Sequence, residues 1–316
     1  MVAVVPRQLT VLGTASQAPT RDRNHNGYLM RWDALGVLFD PGEGTQRQLL
    51  LAGERSSTIT HIAITHRHGD HLLGLPGVLA RMALDQRQDP VTLIHPQEAT
   101  ASIDHLLAVQ PHDPPMPLQR HVLPDGEVSE VPLDDGTTLL AVPLDHRVPA
   151  LGYRVQEADG YRVAPDRLAA TGLQGPAVGQ LLREGSVDHD GRTVHRDDVA
   201  VPRPGQSMAF VMDTRECDGI SHLLSGCDLA VIEATFQDGD EALATRFGHL
   251  TASQAGRYAG GAGVRRLVLT HFSQRYDGPD GFLAQAGRHH GDVVAAADLD
   301  RIEVPARLPV GEGVTG

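Results

Sequence analysis

Short apolar runs rich in β-branched residues alternate along the chain with stretches in which apolar residues recur every three or four positions. The first pattern predicts strands and the second amphipathic helices. "RQLTVLGT", "YLMRWD" and "LGVLFD" open the chain as short strands with Gly and Asp at their turns. "TQRQLLLAG" predicts a helix ending at Gly53, and "ITHIAITH" a buried strand. "LPGVLARMALDQRQ" predicts a helix with Pro76 near its start, "VTLIHP" another strand, and "EATASIDHLLAVQ" another helix. The second half repeats the rhythm in "TTLLAVPLDH", "LGYRVQE", "SMAFVMD", "LAVIEATF", "SQAGRYAGGAG" and "VRRLVLTHF". Strand and helix alternate throughout, which predicts an α/β fold on one mixed sheet or two.

Composition refines this picture. The chain has 316 residues, 41% of them hydrophobic, so a sizeable core can form. Aromatic residues make up only 4%, so aliphatic side chains must fill that core. Residues 159–206 are polar, punctuated by Gly and Pro, and weakly periodic, and read as an excursion from a single domain spanning 1–316. The tail after Arg307 is expected to be disordered. No run approaches the ~20 apolar residues of a membrane span, and "MVAVVPRQLTVLG" lacks the features of a signal peptide. Cys217 and Cys227 form no CxxC and read as free thiols in a reducing cytoplasm. The formal charge of −13 excludes a surface coated for nucleic acid, but not a local basic patch. There is no lysine, so all 27 cations are arginine, which a GC-rich genome explains more readily than phosphate binding does.

The candidate chemistry sits at strand ends. "ITHRHGDHLLGLPG" (64–77) holds His66, His68, Asp70 and His71 within six positions. An extended backbone points His66 and His68 to one side, and the chain turns at Gly69 so that Asp70 and His71 can join them. Further apolar strands deliver His146, Asp213 and His271. Imidazole and carboxylate together suit Zn²⁺, with Mn²⁺ or Fe²⁺ as alternatives. Seven such donors exceed one tetrahedral ion and fit two ions about 3.5–4 Å apart, bridged by a carboxylate and a water. His25, His61, His95, His105, His112, His121, His189, His195, His222, His289 and His290 read as ordinary core or surface histidines. There is no GxSxG, no P-loop and no HExxH.

HxHxDH resembles the signature of the metallo-β-lactamase fold, a four-layer αββα sandwich. The surrounding segments resemble the ribonuclease Z family, whose members remove the 3′ trailer from precursor tRNA. These segments are "LGTASQAPTRDRN" (12–24), "LFDPGEGTQRQLL" (38–50), "GYRV" after His146, "MDTR" around Asp213, "IEATF" around Glu233, "GHLTASQA" around His249 and "LVLTHFSQRY" ending at Tyr276. The resemblance implies two Zn²⁺ per subunit, with Mn²⁺ as the alternative metal. One would be held by His66, His68, His146 and Asp213, and the other by Asp70, His71, Asp213 and His271. It implies that Asp70 is the general base and that His249, paired with Glu233, protonates the leaving oxygen. The cut would fall 3′ of the discriminator base, leaving a tRNA 3′-hydroxyl and a 5′-phosphorylated trailer.

The resemblance also implies substrate contacts. "PTRDRN", with Arg21, Arg23 and Asn24, corresponds to a loop that senses the tRNA 3′ end; Arg21 stands where the family usually has lysine. "LQGPAVGQLLREG", with Gly175 and Pro176, corresponds to an inserted flexible arm at about 159–206 that clamps tRNA held by the other subunit of a homodimer. DNA and membranes are not expected partners. "GEGTQRQ" reads equally as a strand-to-helix turn with Thr45 as N-cap and as a phosphate contact. Asp40 is expected to orient a metal ligand.

The departures from the family pattern are small: Pro41 for cysteine, Met212 for glycine, Ile232 for histidine and Leu250 for serine. From Arg154 to Arg203 there are seven arginines against eight acids, so the arm is not net basic. That balance keeps open an alternative, a small-molecule phosphodiesterase or arylsulfatase-like hydrolase on the same fold.

Overall fold

The computed structural model describes residues 7–109, 117–134 and 136–307, so His112 and the tail after Arg307 lie outside it. The chain folds into two compact units: Gln156–Gln206, and the chain on either side of that segment. In the larger unit the first strands are β1 (Gln8–Gly13), β2 (Gly27–Trp32), β3 (Leu35–Phe39), β4 (His61–Ala63), β5 (Val91–Pro96) and β6 (Leu118–Leu123). Next come β7 (Ser129–Pro132), β8 (Thr137–Leu144) and β9 (Ala150–Glu157). The smaller unit holds β10 (Gly160–Val163), β11 (Ser186–His189), β12 (Arg192–His195) and β13 (Ala200–Arg203). The larger unit resumes with β14 (Ser207–Val211), β15 (Leu229–Glu233), β16 (Arg266–Thr270), β17 (Val293–Ala295) and β18 (Arg301–Glu303).

Two seven-stranded sheets result, in the orders β18-β1-β2-β3-β4-β5-β6 and β17-β16-β15-β14-β9-β8-β7. Both are mixed: β1, β2 and β3 pair antiparallel and β3 to β6 parallel, while β14 to β17 run parallel and β7 pairs antiparallel with β8. Alternation explains the near-continuous apolar strands. Tyr28, Met30, Trp32, Val37 and Phe39 face the interior between the sheets, where they meet Tyr153, Met208, Phe210 and Val231. On the opposite face of the first sheet, Leu29, Leu38, Ile62 and Leu93 pack on Leu75, Val78, Leu79 and Met82 of the helix Leu75–Leu84. Ala209, Val211, Ile232 and Leu269 do the same on the second sheet against Ile220, Leu223, Ala255 and Ala259 of the helices Asp218–Leu224 and Ala252–Gly261. Helix, sheet, sheet and helix therefore form four layers, the αββα sandwich. The innermost layer holds an aromatic cluster in which Phe210 stacks on Phe39 (4.7 Å) and meets Tyr28 edge-on (5.1 Å).

The elements follow the sequence pattern with local corrections. The strand in "ITHIAITH" is only His61–Ala63, because the chain beyond it turns into the ligand loop. Gly44, with φ 84°, caps the helix Thr45–Leu51; Thr45 is its first residue rather than the N-cap, and its hydroxyl donates to the Gly42 carbonyl. The helix expected over 98–110 begins at Thr100, after a 3₁₀ turn at Gln97–Ala99.

The segment read as a weakly periodic, flexible arm carries structure of its own. β10 pairs with β13 and β11 with β12, and the helices Pro165–Thr171, Pro176–Glu184 and Arg196–Val199 join them. Leu173, Leu181, Val194, Val199 and Ala200 form its small core, and Arg196 lies 3.7 Å from the Tyr161 ring centroid. Four-residue strands contribute too few apolar positions for a period to show in the sequence.

The inner layer predicts a stability effect. Phe210→Ala is expected to cost about 3–5 kcal/mol by urea unfolding, because the vacated volume lies between two sheets that cannot collapse onto it.

Candidate metal centre

The predicted donors emerge from strand ends of both sheets. After β4, Thr65 is pinned by Asp40: its N–H donates to Oδ1 and its hydroxyl to Oδ2, both at 2.7 Å. His66 follows in a fully buried position. His68 is extended (φ −64°, ψ 148°) at the start of the short helix Gly69–Leu72, whose first turn carries Asp70 and His71. Gly42 passes directly beneath this turn; a Cβ there would sit 2.2 Å from the Asp70 carbonyl oxygen, so only glycine fits. His146 follows β8, Asp213 follows β14, Glu233 ends β15, and His271 follows β16 with φ 61°.

Two groups of four converge. His66, His68, His146 and Asp213 each offer one atom within 4.8 Å of the others, and so do Asp70, His71, Asp213 and His271, with Asp213 common to both. A third group contains Glu233, His249 and His271. None of the histidines read as ordinary joins a group among the described residues.

Hydrogen bonds assign the ring nitrogens. The Thr65 hydroxyl donates to Asp40, so the 2.9 Å contact from His66 Nδ1 to Thr65 Oγ1 has the imidazole as donor. The Thr235 hydroxyl donates to Glu233 Oε2 at 2.6 Å, so His271 Nδ1 donates to Thr235 at 2.7 Å. His71 Nδ1 donates to Asp40 Oδ2 at 2.9 Å, and His146 Nδ1 to the Gly248 carbonyl at 2.8 Å. In the neutral ring each of these four histidines then has Nε2 as its acceptor nitrogen, and that of His71 also accepts from the Asn26 amide at 3.2 Å. His66 Nε2 lies 2.9 Å from His68 Nδ1, and His146 Nε2 lies 3.2 Å from the same atom. His271 Nε2 lies 3.3 Å from Asp213 Oδ1, and neither buried atom has a hydrogen-bond partner among the described residues. Two buried acceptors at this range, His271 Nε2 and Asp213 Oδ1, repel one another unless a cation lies between them, so these donors fit a metal.

The field agrees. Burial disfavours charge on His71, yet Asp213, Asp70 and Asp40 hold its pKa well above the usual imidazole value, so a cation is favoured there. His68, which is less buried, is pushed down to about 4 by burial and by His146. Burial opposes the charge of Asp213, but His271, His71 and His249 keep it well below the carboxylate range.

Beside the centre, His249 Nδ1 donates to Glu233 Oε1 at 3.0 Å. The rest of Glu233 is occupied: Oε1 also accepts from the Thr214 N–H, and Oε2 from Thr235. Burial works against the imidazolium of His249, but Glu233 and Asp213 outweigh it and raise its pKa. Asp70, Asp213, His68, His249 and His271 line an open cleft of about 180 Å³.

The predicted substrate residues lie elsewhere. Arg21 is exposed, outside the cleft lining. Arg23 is half-buried over Phe272, its guanidinium donating to the Tyr276 carbonyl. The Asn24 amide donates to the His25 and Glu43 carbonyls, and its N–H donates to Asp298 Oδ2, so Asn24 shapes the loop. Gly175 (φ 62°) and Pro176 are exposed at the start of the helix Pro176–Glu184. Sequence reasoning missed Arg147, Phe247 and Arg275, which line the cleft. The available signal was position: Arg147 adjoins His146, and Arg275 lies within "LTHFSQRY".

Two family models match parts of the chain: Anti-Pycsar protein Apyc1 over residues 7–114 and Beta-lactamase superfamily domain over 192–272. Ribonuclease Z from Nocardia farcinica is 53% identical over 302 residues, covering 95% of this chain and 99% of the relative. Ribonuclease Z from Streptomyces avermitilis is 50% identical over 304 residues, covering 95% and 99%. Among solved structures, human tRNase Z, short form, matches with a TM-score of 0.68 at 24% identity, covering 95% of this chain and 100% of that one, a likeness of fold. With half of its residues shared along nearly the whole length of such relatives, the chain belongs to the ribonuclease Z family, on the metallo-β-lactamase fold.

Proposed function

We propose that this chain is a metal-dependent endoribonuclease that removes the 3′ trailer from precursor tRNA. The observation that carries the reading is the pair of four-donor groups sharing Asp213, with the Glu233–His249 pair beside them, in a ribonuclease Z chain. The metal would be two Zn²⁺ per subunit: His66, His68, His146 and Asp213 would hold one, and Asp70, His71, Asp213 and His271 the other. The first set, three imidazoles and one carboxylate, favours zinc over Mn²⁺; the second, two of each, suits either ion. When bound, the ions place positive charge at the scissile phosphate and make water acidic enough to attack it near neutral pH.

The side chains do the rest. Asp70 orients the attacking water and accepts its proton. The water oxygen bonds to phosphorus, the bond from phosphorus to the 3′-oxygen breaks, and its electron pair stays on that oxygen. His249, held by Glu233 with its Nε2 free toward the cleft, gives the 3′-oxygen a proton. The products are a tRNA 3′-hydroxyl and a 5′-phosphorylated trailer.

Residues 156–206 form the tRNA-holding arm, with Gly175 and Pro176 at the entry to one of its helices. Its acid excess is offset by distribution: Arg162, Arg167, Arg183 and Arg192 are exposed, and none has a carboxylate partner among the described residues. The chain acts as a homodimer. Leu50, Leu51, Leu73 and Leu84, on or beside the helices Thr45–Leu51 and Leu75–Leu84, expose apolar surface that a second copy would cover. No described helix is long and apolar enough to cross a membrane, and both cysteines are free thiols, which supports action in the cytoplasm.

Two experiments test this reading. Asp70→Ala is expected to abolish cleavage of a 3′-extended precursor tRNA. His249→Ala should slow it about 100- to 10,000-fold with metal content unchanged. Near-normal cleavage by His249→Ala would remove that residue as the acid; hydrolysis of bis(p-nitrophenyl) phosphate without tRNA cleavage would move the chain to the small-substrate alternative. Asp40→Ala leaves Thr65 and His71 without their shared acceptor. It is expected to weaken zinc about 10- to 100-fold in a chelator competition, and unchanged affinity would show that Asp40 does not orient the ligands.

A further inference from the structure

Five of the six phenylalanines are buried; Phe247 alone is not, and it lines the cleft over the metal centre. A partly exposed aromatic ring on a cleft wall, in so aromatic-poor a chain, calls for a partner. Phe236, almost fully buried, lies nearly parallel to it with centroids 6.4 Å apart (13°). Two guanidinium groups sit against the same ring, Arg246 at 5.4 Å and Arg147 at 5.9 Å from its centroid. Neither Arg147 nor Arg246 has a hydrogen bond to a carboxylate or an ion pair among the described residues, and both are exposed. Elsewhere arginines are commonly paired, as in Arg81–Asp85, Arg215–Asp145 and Arg266–Asp292. A flat ring with two unpaired guanidinium groups over it suits a flat base carried on phosphates, because the base can stack on ring and guanidinium planes while the cations also meet the backbone.

Position selects which base. Phe247 lies two residues before His249, and Phe236 touches both rings, 6.1 Å from the His249 centroid. His249 faces the 3′-oxygen that leaves, and that oxygen belongs to the discriminator nucleotide. We infer that Phe247, with Arg147 and Arg246, forms a stacking platform for the discriminator base, fixing the nucleotide whose 3′-oxygen receives the proton. The inference rests on the endonuclease reading above and adds a specificity residue to it.

A double-mutant cycle between protein and RNA tests it. Zinc-loaded wild type, Phe247→Leu and Phe247→Tyr are assayed on precursor tRNA that is intact, abasic at the discriminator, or abasic at the first trailer nucleotide. For wild type, removing the discriminator base should lower kcat/KM about 10- to 100-fold. Phe247→Leu should lose a similar factor on intact RNA and nothing more on the discriminator-abasic RNA, while Phe247→Tyr keeps the wild-type pattern. Because each ratio compares two RNAs on one protein, a folding loss cancels. An undiminished discriminator penalty in Phe247→Leu overturns the platform, as does coupling to the trailer nucleotide instead. No cleavage of intact RNA by wild type overturns the endonuclease reading, and the platform with it.

Discussion

Bare imidazole lone pairs turned toward buried carboxylates are the constraint on which this structure depends. His66, His71, His146 and His271 each give away their Nδ1–H outward, to Thr65, Asp40, the Gly248 carbonyl and Thr235. That leaves their Nε2 atoms turned to the centre, with His271 Nε2 and Asp213 Oδ1 3.3 Å apart and without a hydrogen-bond partner among the described residues, a cost that a cation relieves. The outer partners matter as much as the donors, because they decide which nitrogen points inward.

The sandwich is what makes the convergence possible. Strands with both faces apolar bury themselves between a helix layer and the opposite sheet, and their polar ends emerge along one edge. Donors from β4, β8, β14 and β16 therefore meet although they are far apart in sequence. The tight crossing of Gly42 under Asp70 and the positive φ of His271 are the local distortions that let the last side chains turn inward.

Much of this was legible in the sequence, for reasons that can be named. The i, i+2 spacing of His66 and His68 and the turn at Gly69 are local, so backbone geometry alone brings them together. Strong apolar runs placed β5, β8, β14 and β16 close to their observed bounds. The orienting role of Asp40 was expected but not its partners Thr65 and His71, and neither Thr235 as the partner of His271 nor the gathering of Arg147, Arg246 and Phe247 was legible, since each depends on contacts between distant segments. The structure of residues 156–206 was hidden by the shortness of its strands, and the cap at Gly44 by a one-residue shift that a plausible Thr45 concealed.

The negative net charge recedes as an objection once arginines are sorted by partner. Arg147 and Arg246 beside the cleft stand free while many others are neutralised by nearby acids, so the local field differs from the total. The central claim is that one carboxylate, Asp213, is shared by two ions. Anomalous diffraction at the zinc edge from zinc-soaked crystals tests it most directly. Two peaks are expected about 3.5–4 Å apart, on either side of the Asp213 carboxylate. A single peak, or one held by Glu233, His249 and His271, would contradict it.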